Sequence, residues 1–351
     1  MKKPAILIVK LSAIGDVMHT LPALNALRHH YPNAHITWLV EEAAADLVKG
    51  HPALDRVLIS RRKTWIKGLR SAQWRGHLRE LIAFIRNLRD TDYDMVFDFQ
   101  AALKGAALIA MVHGKRKIGF DRGLEHQECS YVVLNERIPA VSMEIHALDR
   151  GLMMLKAAGI PCHAIEYRLP ITADEYLRAQ GLLAERGIGP GQAFVVITPM
   201  AKWETKLWDA QKFAQLADRV RTDFGLPVVF TGAPEDQRYI NAIIGRMKTR
   251  PITLAGQTGL MTSAALLQHA ALMITTDTGP MHMAAALDTP TVVLFGPTAP
   301  WRTGPYGKGH RIVRAGLACS PCFKRRCPKK PACMAAISVD QVIAAAADLL
   351  R

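Results

Sequence analysis

The chain has 351 residues, half of them hydrophobic, with a formal charge of +15 and a pI near 9.7. That length exceeds one ordinary α/β core and suits two domains of roughly 150 residues each, and no apolar run approaches the ~18 residues needed to cross a bilayer. The charge calls for an anionic partner (nucleic acid, an anionic lipid surface or a phosphorylated substrate), and no helix-turn-helix, zinc-finger or RNA-recognition signature favours the first.

AILIV (5–9) reads as a buried strand. Lysines precede it as in a secretory leader, but Lys10 interrupts the run and no small-residue cleavage site follows, so a cytosolic protein is expected. A helix runs from about Asp16 to His30, with Val17, Leu21, Leu24 and Leu27 at helical spacing. AHITWLV is a strand, EEAAADLVKG a short helix ended by Gly50, and DRVLIS a strand. The basic stretch from Arg61 to Arg89 reads as a loop and then a long helix. YDMVFDF is a strand, QAALKGAALIAMVHG a helix with Gly114 at its end, and RKIGF a short strand. The rhythm breaks over 160–190, where the domain boundary is placed. It restarts with the strand AFVVITP, the helix WDAQKFAQLADRVRTDFG, the strand LPVVFTG and the helix TSAALLQHA, capped by Thr262 or Ser263. ALMITTD (strand), GPMHMAAALD (helix) and TPTVVLFG (strand) follow, and SVDQVIAAAADLLR is a terminal helix with Ser338 and Gln341 in capping-box spacing. This alternation predicts an α/β protein with two doubly wound parallel sheets, whose ligands sit at the carboxyl ends of the strands.

Three turns at such ends carry candidate chemistry. In TTDTGPMHMAAAL a helix starts at about Pro280, and the N–H groups of Thr278, Gly279 and Met281 would point outward as an anion site, with His282 on the first turn. TGAPEDQ places Glu235 and Asp236 after a strand, either to hold ribose hydroxyls or to balance a helix dipole. TPMAKWETKLW offers Lys202 and Lys206 to a pyrophosphate. The first βα turn is different: KLSAIGD has one glycine, Gly15, and then the carboxylate Asp16, which serves as a helix cap or as a base. No G-x-G-x-x-G follows a predicted strand, which speaks against a dehydrogenase.

ILIVKLSAIGDVMHTLPAL, FDFQAALKGAAL, KLW and DTGPMHMAAAL…VVLFGPT, in order over nearly the whole chain, resemble the bacterial heptosyltransferases of glycosyltransferase family 9, the heptosyltransferase I branch above all. The resemblance implies a GT-B fold: two Rossmann-like doubly wound domains facing a cleft, an acceptor-binding domain over 1–170, a nucleotide-sugar domain over 171–337, and a helix at 338–351 packing back on the first domain. It implies inverting transfer of L-glycero-D-manno-heptose from ADP-heptose to a Kdo-lipid A acceptor, with no cofactor and no catalytic metal. Asp16 matches the general base, across the cleft from the leaving ADP. Lys206, Asp236, Asp277, Thr278, Gly279 and His282 match donor contacts, and Lys202, with Ala201, stands where relatives carry threonines. The acceptor would meet Lys10, Ser12, Arg61, Arg62, Lys63, Gln100, Lys104 and Arg122. A polyanionic acceptor in an anionic membrane leaflet then accounts for the charge, and a monomer at the cytoplasmic face of the inner membrane, without nucleic acid, is expected. Two readings stay open beside it: a family 9 transferase with another core acceptor or donor, like heptosyltransferases II and III, and a non-catalytic nucleotide-binding protein.

CSPCFKRRCPKKPAC holds Cys319, Cys322, Cys327 and Cys333. Four thiols this close can bind zinc, but a second C-x2-C pair is missing, so reduced or partly paired structural thiols are the expectation.

Overall fold

In the computed structural model residues 3–125, 128–328 and 332–351 are described. The chain forms two compact units, Met1–Pro170 and Ile171–Arg351, each built on its own six-stranded sheet. In the first, β1 (Ala5–Val9), β2 (His35–Glu41), β3 (Arg56–Ser60), β4 (Tyr93–Asp98), β5 (Gly114–Phe120) and β6 (Glu136–Ile138) run parallel in the order β3-β2-β1-β4-β5-β6. Ile6 to Val9 are wholly buried, as a strand covered on both faces requires. The helices are α1 (Ile14–His30), α2 (Arg62–Gly68), α3 (Trp74–Arg89), α4 (Leu103–Met111) and α5 (Ala147–Ala157). The strand order reverses at β1 and β4. Val9 pairs with Leu39 on one side and Asp98 on the other, so the loops that begin at Lys10 and Phe99 diverge from neighbouring strand ends, the usual ligand position in such sheets.

The second unit repeats the plan. Its strands are β7 (Val195–Thr198), β8 (Val228–Phe230), β9 (Ile252–Thr253), β10 (Leu272–Thr276), β11 (Thr291–Leu294) and β12 (His310–Val313), in the order β12-β11-β10-β7-β8-β9 and again parallel. Around them lie α6 (Ala173–Ala184), α7 (Ala210–Phe224), α8 (Gln237–Ile244), α9 (Leu260–His269), α10 (Gly279–Ala286), α11 (Pro300–Thr303), α12 (Ala332–Ala335) and α13 (Val339–Leu350). Asp209 caps α7 through Gln211 N–H and Lys212 N–H, Gly225 ends it at φ +69°, and Phe213, Leu216 and Val220 fill the core between.

Several elements differ from the sequence reading. EEAAADL forms a 3-10 turn at Glu42–Leu47, and the basic stretch opens with the helix α2 where a loop was expected. Gly114 begins β5 and does not end α4; a Cβ there would stand 2.6 Å from Val96, so the close strand approach explains the glycine. Gly259 is the N-cap of α9, while Thr262 inside the helix donates to Glu175 and the Ser263 hydroxyl pairs with that of Thr258. The terminal helix α13 was expected on the first domain. It buries Val342, Ile343 and Ala346 in the second unit's core, beside α7 and β12, because its apolar face is consumed there. Ser338 and Gln341 cap it reciprocally, as the spacing predicts.

Candidate active site

The loop after β1 is held from β4. Gln100 Oε1 accepts from Leu11 N–H (2.8 Å) and Ser12 N–H (3.2 Å), and Lys10 Nζ donates to the Phe99 carbonyl (2.8 Å). Asp98 Oδ1 in turn accepts from Gln100 N–H and Ala101 N–H, both at 3.0 Å, and so closes a tight turn in which Ala101 sits at φ +50°. Asp98 is buried, and that burial pushes its carboxyl above the usual carboxylate range, against the pull of the Ala101 N–H, Ser130, the Gln100 N–H and the Lys10 charge. Desolvation likewise holds the Lys10 ammonium below an ordinary lysine, although the Asp16 and Asp98 charges draw it back.

Asp16 sits in the first turn of α1, half-buried. Its Oδ2 accepts from Ala13 N–H at 2.9 Å, the reciprocal half of a capping arrangement. The other oxygen carries no hydrogen bond among the described residues. The residue lines an open cavity of about 180 Å³ together with Lys10, His19, Asp98, Gln100 and Arg150. A carboxylate with one oxygen anchored and one available, beside a buried lysine, can accept a proton without moving.

Of the predicted acceptor residues only Lys10 and Gln100 line this cavity with Asp16; Gln100 spends its carbonyl oxygen on the backbone. Ser12, Arg61, Arg62, Lys63, Lys104 and Arg122 lie outside it. Lys104 donates to Ser12 Oγ and stands 3.6 Å from Glu41 Oε1, which Arg62 approaches to 3.4 Å. Arg61 pairs with Glu42 (2.9 Å) and Glu80 (3.4 Å), while Lys63 and Arg122 are exposed. The basic tract is therefore partly neutralised by acids at the end of β2, which its own sequence does not reveal. Asp98 and Arg150 escaped the sequence reading; the strand-ending carboxylate of FDFQ was the available signal for the first. We expect Gln100→Ala, which strands Leu11 N–H and Ser12 N–H, to cost about 1–3 kcal/mol in urea unfolding.

In the second unit Lys206 Nζ binds Asp277 Oδ2 at 2.6 Å, and the Thr298 hydroxyl donates to the same oxygen at 2.6 Å. Lys206 also lies 4.6 Å above the Trp203 ring, with Arg325 5.1 Å from that ring. The buried Asp277 carboxylate, expected in the phosphate turn, holds Lys206 and the Thr298 hydroxyl. Thr278 is the N-cap of α10, and His282 is buried in its first turn. Met281 N–H was expected to point outward but donates to Thr278 O at 3.2 Å, and Pro280 has no N–H. Lys202 is exposed. Asp236 Oδ2 accepts from Ala233 N–H at 2.8 Å and closes the turn into α8, the capping role of the two considered.

Cys319, Cys322, Cys327 and Cys333 form no disulfide among the described residues and line one small cavity of about 30 Å³ with Thr205 and Pro297. Burial, then the nearby Cys322 and Cys319, raise the Cys333 thiol pKa. Among the described residues no group of three or more His, Cys, Asp or Glu is disposed to hold a metal ion, so the zinc reading gains no support; Lys329, Lys330 and Pro331 of this motif lie outside them.

The family model for glycosyltransferase family 9 (heptosyltransferase) matches residues 81–333. The chain belongs to glycosyltransferase family 9. This family 9 glycosyltransferase is 31% identical to lipopolysaccharide heptosyltransferase 1 of Pseudomonas aeruginosa, over 93% of this chain and 88% of that one. It is 29% identical to lipopolysaccharide heptosyltransferase 1 of Escherichia coli K12, over 88% and 93%. The structure of E. coli heptosyltransferase WaaC with ADP superposes with a TM-score of 0.78 at 26% identity, covering 98% of this chain and 99% of that chain. The two Rossmann-like units thus form the GT-B fold of such enzymes.

Proposed function

We propose that this glycosyltransferase transfers a heptose from ADP-heptose to a Kdo-lipid A acceptor of the lipopolysaccharide inner core, as a monomer at the cytoplasmic face of the inner membrane. The observation that carries the reading is the Asp16 carboxylate, which lines the first-unit cavity with one oxygen anchored to Ala13 N–H and the other without a hydrogen bond among the described residues. The heptosyltransferase 1 relatives and the ADP complex of WaaC support the donor and the acceptor class.

The chemistry follows from these groups. The acceptor hydroxyl gives its proton to Asp16 as its oxygen bonds to the anomeric carbon, and the bond from that carbon to the β-phosphate oxygen breaks. The electron pair leaves with ADP, whose charge Lys206 and the Thr278 and Gly279 N–H groups stabilise. Attack opposite the leaving group inverts the anomeric centre.

The test offers ADP-heptose, UDP-sugars and GDP-sugars with Kdo-lipid A, and separately with heptosylated Kdo-lipid A, and weighs the product. One heptose added from the ADP donor alone is expected. Transfer only to an acceptor that already carries heptose would move the enzyme to the second reading, a heptosyltransferase II-like or III-like role, and no product from any ADP-sugar would overturn the proposal.

A further inference from the structure

We propose that the hairpin of α2 and α3 docks the enzyme on an anionic lipid surface. The proposal rests on the reading above only in that the acceptor is lipid-borne. The hairpin's inner packing is complete without its outer apolar residues. Leu81, Phe84, Ile85 and Leu88 of α3 pack in the first unit's core, and Trp65 of α2 is buried against Phe84 with ring centroids 4.9 Å apart. Trp65 Nε1 donates to Glu80 at 3.1 Å, and Gly68 lets α2 close on His77, where a Cβ would stand 2.1 Å from the imidazole.

Further apolar residues of the hairpin are left exposed beyond that packing. Trp74 (44% exposed), Leu78 (36%) and Ile82 (49%) recur every four residues on α3, one face of a helix with 3.6 residues per turn. Ile66 (49%) and Leu69 (38%) are exposed on α2 as well. Five of the thirteen exposed large hydrophobics of the described chain fall within residues 66–82, so they concentrate in this hairpin and are not scattered along the chain.

Cations border it. Lys67, Arg70, Arg75, Arg79, Arg86 and Arg89 are exposed, and no ion pair engages them among the described residues. The two acids of this stretch have other partners: Glu80 pairs with Trp65 and Arg61, Asp90 with Arg56. By helical spacing Arg75 and Arg79 follow Trp74 and Leu78 on the flank away from the core. An exposed row of aromatic and aliphatic side chains, edged by arginines outside any ion pair among the described residues and with Arg75 stacked 5.5 Å over Trp74, matches a helix lying in a lipid headgroup layer. A soluble polyanion would leave the apolar row in water. Each basic residue near an anionic leaflet contributes about fivefold to partitioning.

The test is sedimentation of the full-length protein with phosphatidylcholine vesicles, with and without phosphatidylglycerol, at low and high salt. Binding to the anionic vesicles is expected, falling at least ~10-fold at high salt as screening shortens the field. The variant Trp74→Ser/Leu78→Ser/Ile82→Ser should lose about 10-fold or more of that binding from its buried apolar area, with unchanged thermal unfolding and unchanged transfer to a deacylated, water-soluble acceptor. Arg75→Glu/Arg79→Glu should lose binding to anionic vesicles and keep the same soluble transfer. Wild-type-like binding by the triple variant, equal binding to neutral vesicles, or an oligonucleotide that displaces the vesicles at equal charge would overturn the proposal. If the wild type binds vesicles but transfers nothing to the soluble acceptor, the functional reading fails and the docking surface stands.

Discussion

Asp16→Asn is expected to lower transfer by at least ~100-fold, the range for losing a general base, while ADP binding and thermal stability stay near wild type. The reason lies in the two oxygens. Oδ2 accepts from Ala13 N–H and helps fix the start of α1. An asparagine keeps one carbonyl oxygen for that contact but cannot take the acceptor's proton. Asp16→Ala removes both functions, so it should lose the same transfer and a further ~0.5–2 kcal/mol of stability, the range for a lost helix-start contact. Steady-state rates with saturating donor, ADP titration calorimetry and urea unfolding on both variants separate the two roles. A carboxylate that only capped the helix would leave Asp16→Asn fully active, and the base assignment would fall.

The regular parts of the fold are legible because parallel strands buried on both faces leave continuous apolar runs such as AILIV and AFVVI. The elements that escaped lack such marks. β6 has only three residues, and α5 is capped by His146, whose ring accepts from Leu148 N–H in place of an ordinary capping side chain. The site follows the same division. Asp16 and the turn at 277–282 stand at strand ends, where position alone draws attention. The engagement of Asp277 by Lys206 and Thr298, the turn closed by Asp98 and the neutralisation of Arg61 and Arg62 by Glu41 and Glu42 join residues far apart in the chain. No local pattern encodes those pairings. The counted charge of the basic tract therefore overstated what faces the acceptor, while the unpaired arginines of α3 became recognisable only once both neighbouring acids were accounted for.

Lys206→Met should separate stability from catalysis in the second unit. The pair it breaks is largely buried, with side-chain exposures of 15% for Lys206 and 7% for Asp277. Removing the ammonium leaves the Asp277 carboxylate with Thr298 as its remaining side-chain partner, and an uncompensated buried charge of this kind costs about 3–5 kcal/mol. The same substitution removes the cation proposed to receive the leaving diphosphate, for which a loss of about 10²–10³ in kcat is expected. Adding Asp277→Asn cancels the stranded charge while Thr298 keeps an oxygen to donate to, so Lys206→Met/Asp277→Asn should recover most of the stability and none of the transfer. Urea unfolding and single-turnover rates on the three variants read the two effects independently. Were the double variant to regain transfer along with stability, Lys206 would be a structural partner of Asp277 alone, and the leaving group would have to be stabilised by the start of α10 without it.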